Sequence, residues 1–209
     1  MAGFNTHVAG GLVVGGISAA VAAQMYHLGP IPAIAVGIMG TIGGLLPDLD
    51  SDSGKPLALI FGAMSILIPA LLLEKLPIAK HFSPEFLVSY FVISYLVINV
   101  LICNVIKKLT HHRGIFHSLP FALLTGEIGY LLFLPSGHNL AMLIAIAVFS
   151  GSLIHLLLDE CNSLTFSYLI IPRFKSSFGT AIKLKSNSLL ATATVYGLVA
   201  LTGYMILNS

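Results

Sequence analysis

The stretch LTHHRGIFHSLP, residues 109–120, sets three histidines and an arginine within seven residues. The segments on either side are among the most apolar in the chain. Ionisable groups beside hydrocarbon are costly, so their concentration at one point calls for a chemical role. Three other places carry comparable groups. His7 opens the first apolar run, after Asn5 and Thr6, either of which suits an N-cap. Pro47-Asp48-Leu49-Asp50-Ser51-Asp52 closes the second run, and His155 and Asp159 end the sixth.

Each spacing suits metal ligation. His155 and Asp159 stand at i and i+4, so on a helix both side chains leave one face about 6 Å apart. Asp48 and Asp50 share a side if their segment is extended, and Asp52 continues the row. His112 and His117 converge only if the chain turns between them, which Gly114 permits. Histidine with aspartate favours zinc or a related transition metal over calcium or magnesium. The candidate ligands are His7, Asp48, Asp50, His111, His112, His117, His155 and Asp159. One catalytic zinc takes three protein ligands plus water, so this set provides for one or two ions. Taken singly, each group has a plainer reading: a lone interfacial histidine is usually solvated, and PDLDSDSGK by itself is an ordinary polar turn. The conjunction carries the metal reading. His27, His81 and His138 are read as solvated loop residues on the other face.

The elements that position these groups must be membrane helices. The chain of 209 residues is 56% hydrophobic and 9% charged, against about 25% charged in soluble domains. Mean hydropathy is +0.96. Too few charges exist to cover a soluble surface, so the sequence predicts one all-α integral membrane domain over residues 1–209. A net charge of +2 gives no ground for nucleic-acid binding. Cys103 and Cys161 are too few for a disulfide framework.

Spanning the hydrocarbon core takes about 20 apolar residues. Seven runs qualify or come close: 8–28, 31–46, 57–73, 86–106, 119–134, 140–158 and 188–207. They predict a polytopic bundle of about seven transmembrane helices. The first run is read as a retained helix, because residues 1–7 lack the basic residues of a signal peptide. Lysine and arginine set the orientation. With seven spans, Lys55, Lys107, Lys108, Arg113, Arg173, Lys175, Lys183 and Lys185 share one side, and only Lys75 and Lys80 the other. This places the N-terminus in the cytoplasm. Histidine and aspartate were not counted, yet every candidate ligand falls on the same cytoplasmic face. Gly11 and Gly15, and Gly40 and Gly44, form GxxxG pairs for close helix packing. Residues 160–187 are expected to include an interfacial or re-entrant segment, with the apolar stretch 165–172 as a lid.

Thr6-His7 with Gly11, the PDLDSD loop, His112-Arg113-Gly114 with His117-Ser118, and His155 with Leu158-Asp159 together resemble the YdjM-like family of predicted inner-membrane metal-dependent hydrolases. The motifs occur in the family's order over residues 6–162. The resemblance implies a multi-helix protein of the bacterial or archaeal-type cytoplasmic membrane with a metal-dependent hydrolase site. The residue types are also similar to those of zinc-dependent phospholipase C. Two departures stand out: Phe116 where the family often has threonine, and Glu160-Cys161-Asn162-Ser163-Leu164 where it often has a glycine.

Arg113 narrows the reaction. A cation beside metal ions suits an anion held between them, and its planar fork matches phosphate or carboxylate. Its plainer reading is a positive-inside anchor. The expected function is phosphoester hydrolysis on a lipid or lipid-linked phosphate at the cytoplasmic interface. His7, Asp48, His112, His117, His155 and Asp159 hold the metal, which supplies hydroxide at neutral pH. Asp50 serves as ligand, ligand support or general base, and Arg113 steadies the developing charge. The alternative is a transporter or channel for metal ions, which predicts ionisable groups near the midplane. Only Glu127, about ten residues into the fifth run, lies that deep. A third reading is a structural metal staple.

Overall fold

The computed structural model describes residues 2–50, 55–73, 83–102, 114–167, 171–174 and 182–209. Each of the seven apolar runs contains a helix among these residues. They are α1 (Phe4–Gln24), α2 (Pro30–Gly43), α3 (Lys55–Leu73), α4 (Pro84–Leu96), α5 (Leu119–Phe133), α6 (His138–Asn162) and α7 (Leu189–Leu207). A 3-10 turn, Leu46–Asp50, follows α2, and a π-helical turn, Val97–Ile102, extends α4.

The helix starts are written locally. Proline stands in the first turn of α2, α4 and α5, where its missing N–H costs nothing. Ser83, Ser118 and Ser188 cap α4, α5 and α7 by accepting from Phe86, Phe121 and Ala191 N–H. The start of α1 differs from expectation. Its N-cap is Gly3, without a side-chain bond, and Asn5 and Thr6 lie inside the first turn. The cause is tertiary: the Ala2 N–H is held by Asp159 Oδ1 at 2.7 Å, so the chain is already aimed when the helix begins.

Four helices among the described residues are long and apolar enough to cross a membrane: Phe4–Gln24, Leu119–Ser136, His138–Asn162 and Leu189–Leu207. Shorter apolar helices cover Pro30–Gly43, Phe61–Leu73 and Pro84–Asn99. The expectation of about seven spans therefore has four helices of spanning length behind it. α2, between Gly29 and Gly44, has 14 residues.

Backbone contacts divide the chain into two compact units, residues 50–112 and the remainder. In the first, α3 packs on α4, and Tyr90 Oη donates to the Pro69 carbonyl at 2.9 Å. In the second, α1, α2 and α6 pack mutually, α5 lies on α6, and α7 lies on α5. Two glycines allow the first three to meet. A Cβ on Gly15 would strike the Gly37 carbonyl and Thr41 Oγ1 of α2. A Cβ on Gly151 of α6 would strike the Gly40 carbonyl and stand 2.8 Å from Gly44 N. The backbones touch at those points, as the GxxxG pairs predict.

Part of the 160–187 segment is a short sheet rather than helix or loop. Leu164–Ser167 pairs antiparallel with Ile171–Phe174, in the register Leu164↔Phe174 to Ser167↔Ile171. The β-branched and aromatic residues Thr165, Phe166 and Ile171 suit that conformation. The predominantly helical chain thus carries one two-stranded element that hydropathy alone does not announce.

Candidate metal centre

Helix direction gathers the polar groups. α1 and α5 begin, and α2 and α6 end, at the same end of their unit. His7 lies in the first turn of α1, and Asp48 in the 3-10 turn after α2. His117 precedes the Ser118 cap of α5. His155 and Asp159 face inward from the last turns of α6. Ser118 bonds to both Phe121 N–H and the Ile115 carbonyl, locking the turn that presents His117. Phe116 packs edge-on against Phe121 at 4.6 Å, so the departure from threonine serves packing.

The five side chains are dry. His155 is fully buried, His7 and His117 are 1% exposed, Asp159 4% and Asp48 6%. The His7 ring stacks on His155 at 3.6 Å, and His117 meets His155 edge-on at 5.5 Å. His7 Nε2 lies 3.3 Å from Asp159 Oδ1. His155 Nε2 is 3.6 Å and His117 Nε2 3.7 Å from Asp48 Oδ1. His117 Nε2 is 3.8 Å from Asp159 Oδ2.

These separations fit a shared cation. They exceed the 2.7–3.2 Å usual for N–H···O bonds. Two ligand atoms each about 2.0–2.1 Å from a tetrahedral zinc stand about 3.3–3.4 Å apart. His155 makes the stronger point. Its Nδ1 is 2.7 Å from the Gly44 carbonyl, which has no proton to give, so Nδ1 donates. In the neutral ring, Nε2 then carries the lone pair, and it faces the Asp48 carboxylate without a hydrogen bond. A lone pair and a buried anion repel unless a cation lies between them. A backbone carbonyl behind one ring nitrogen, with the other nitrogen free, is also how ligating histidines are held. His7 likewise has both ring nitrogens buried without a hydrogen bond among the described residues. The sets His7, Asp48, His155 and His117, His155, Asp159 each bring three ligand atoms within 4.8 Å of one another, so they could hold a metal ion. Both sets use His155, whose one available nitrogen joins them into a single cluster.

Some expected residues are not described. His111, His112, Arg113 and Asp52 lie outside the described residues. Asp50 ends the 3-10 turn, and its side chain also lies outside them. The backbone from Leu46 to Asp50 is a 3-10 turn, so the extended condition under which Asp48 and Asp50 would share a side is not met. His138 is not simply solvated: its Nδ1 is 2.6 Å from Tyr130 Oη. Glu127 Oε2 accepts from Thr202 Oγ1 at 2.6 Å, which ties α5 to α7.

Several supporting groups escaped the sequence reading. The Ala2 N–H orients Asp159, and the Gly44 carbonyl orients His155. Ser152 Oγ donates to the Gly43 carbonyl at 3.0 Å and lies 3.3 Å from Thr125 Oγ1, joining α2, α5 and α6 just behind the cluster. A serine three residues before His155 in an apolar run was the one available signal; backbone groups give none.

A family model described as YdjM inner membrane protein matches residues 1–208. No curated protein and no solved structure matches the chain.

Proposed function

The chain belongs to the YdjM inner membrane protein family, and from that premise we propose that it is a metal-dependent hydrolase of the cytoplasmic membrane, cleaving a phosphoester of a lipid or lipid-linked substrate. The observation that supports this most is the dry cluster in which the His155 lone pair faces the Asp48 carboxylate. Buried histidine nitrogens and carboxylate oxygens converging on one point are the donor types that zinc takes.

Zinc is the ion proposed, from the mixed histidine and aspartate donors. His7, Asp48, His117, His155 and Asp159 would hold it, and His112 is proposed as a further ligand. A bound divalent ion supplies Lewis acidity and lowers the pKa of a coordinated water to about 7. The chain's own residues do the rest. The Gly44 carbonyl fixes the tautomer and angle of His155, and the Ala2 N–H fixes Asp159. The stacked His7 and His155 rings exclude bulk water from that side. Asp50 is proposed to take the proton of the attacking water. Arg113 is proposed to grip the phosphate oxygens through its planar fork.

The proposed topology has seven helices crossing alternately, with the N-terminus and the cluster on the cytoplasmic side, as the lysine and arginine distribution favours. A metal transporter would use the same cluster. Its one deep acid, Glu127, is engaged with Thr202, and the described ligands gather at one end, so hydrolysis is the better-supported reading.

Metal analysis of the purified chain, beside hydrolysis assays on a panel of lipid phosphates, tests this. The wild type should carry zinc and release phosphate or a phosphorylated head group. His155→Ala and His117→Ala should lose both. A metal-free wild type, or metal retained in both variants, would refute it.

A further inference from the structure

A lipid substrate needs a place for its hydrocarbon. Two cavities flank α5. One, of 320 Å³, begins at Leu119 and Pro120 and is walled by Leu184 and Tyr196. The other, of 280 Å³, runs deeper, past Glu127, to Met142, Ile146 and Ile206. Leu123 and Phe149 line both, so the two are parts of one groove.

Its chemistry is uniform. No polar surface faces either part. Glu127 contributes only its hydrocarbon stem, because its carboxylate is bonded to Thr202. A polar ligand would find no partner there. The mouth is built: Leu119 N–H donates to the Lys183 carbonyl at 3.0 Å, and Tyr196 Oη donates to the Leu184 carbonyl at 3.1 Å. The mouth also lies beside the cluster, since Leu119 follows His117 by two residues. From Leu119 to Tyr130 the helix rises about 16 Å, about half of a ~30 Å hydrocarbon core. That is the depth of one leaflet.

We propose that this groove holds one hydrocarbon chain of the lipid whose phosphoester is presented to the His/Asp cluster. The identity of the head group rests on the hydrolase reading above; occupation of the groove by a chain does not.

The test uses the full chain in phosphatidylcholine nanodiscs. The probe is phosphatidic acid carrying a photoreactive diazirine at the end of one palmitoyl chain, with labelled residues mapped by mass spectrometry. Labelling at Met142, Ile146 and Ile206 should exceed that at the exposed α1 residues Leu12, Val13 and Ile17 by about tenfold. Leu123→Trp, which fills the junction of the two parts, should abolish the excess while leaving metal content unchanged. Comparable labelling of groove and α1 in the wild type would overturn the proposal, because the groove would then hold only bulk lipid. This result needs no variant to fold. Hydrolysis is scored separately. Cleavage of lipid phosphates with equal rates for short and long chains, unaltered by Leu123→Trp, would also overturn the groove while sparing the hydrolase. Concentrated labelling with no cleavage of any phosphoester would support the groove and refute the hydrolase.

Discussion

Gly151→Ala tests whether the packing of α2 on α6 sets the metal centre. The added Cβ would strike the Gly40 carbonyl and stand 2.8 Å from Gly44 N and 3.1 Å from Gly43 C. All are backbone atoms of α2 and the turn after it, so no side chain can swing aside. Ordinary contact begins near 3.4 Å, so clearing Gly44 N alone parts the backbones by about 0.6 Å, and the Gly40 carbonyl asks for more. The Gly44 carbonyl lies on the surface being pushed away. Its bond to His155 Nδ1, now 2.7 Å, would stretch to about 3.3 Å, beyond the usual N–H···O range. Overpacking costs about 1–3 kcal/mol, and the lost hydrogen bond adds about 0.5–1.5 kcal/mol. Loosening the group that orients a ligating histidine costs about 10–100-fold in metal affinity. Unfolding by detergent titration, followed by circular dichroism, should show the first loss, and zinc calorimetry the second. Gly16→Ala is the control, since a Cβ there meets nothing within 4 Å. It should leave zinc affinity unchanged. A Gly151→Ala protein with wild-type stability and wild-type zinc affinity would refute the coupling of helix contact to ligand geometry.

Other outcomes follow from the same geometry. Zinc at about 100 times its dissociation constant should stabilise the wild type by about 2.7 kcal/mol, and chelation should reverse this; His155→Ala should respond to neither. A wild-type melt indifferent to chelator would count against a bound ion. Zinc affinity should weaken on acidification, because protons compete for the lone pairs of His7, His117 and His155. Calorimetry across pH should show that drop, and a zinc affinity unchanged between about pH 8 and about pH 5 would count against histidine ligation. Thr202→Val removes the bond to Glu127 and should cost about 0.6–1.7 kcal/mol in a detergent-unfolding assay, with zinc stoichiometry unchanged.

The site was more legible than its supports. His7, Asp48, His117, His155 and Asp159 stand out because ionisable side chains are rare in apolar runs, and each falls where a run begins or ends. Within their unit α1 and α5 begin, and α2 and α6 end, at the same end, which brings those positions together. The Gly44 carbonyl and the Ala2 N–H were invisible, because every residue except proline carries the same backbone groups and only tertiary placement makes two of them special. The N-cap of α1 was misread for the same reason: Asn5 and Thr6 have capping side chains, but the tether from Ala2 to Asp159 fixed the start earlier. Whether the Asp48–Asp50 segment is extended was open, because spacing alone does not separate a strand from the 3-10 turn found there. The pairing of 164–167 with 171–174 was hidden in a run whose hydropathy resembles that of its helical neighbours.

The shortness of α2 bears on how the proposed hydrolytic centre would meet its reactants. Fourteen residues rise about 21 Å, roughly 9 Å less than a ~30 Å hydrocarbon core. Asp48 and the Gly44 carbonyl hang from the end of that helix. With the other end of α2 at one interface, they stop short of the opposite one unless the bilayer thins to meet them. Hydrocarbon chains surround that depth and arrive sideways without leaving their leaflet. Water does not, and would have to be led down through protein to a centre at that depth. For a hydrolysis performed there, water is the scarce reactant and lipid the abundant one. Mutations that line the descent with apolar side chains should therefore slow turnover at saturating lipid, leaving the lipid's own affinity untouched.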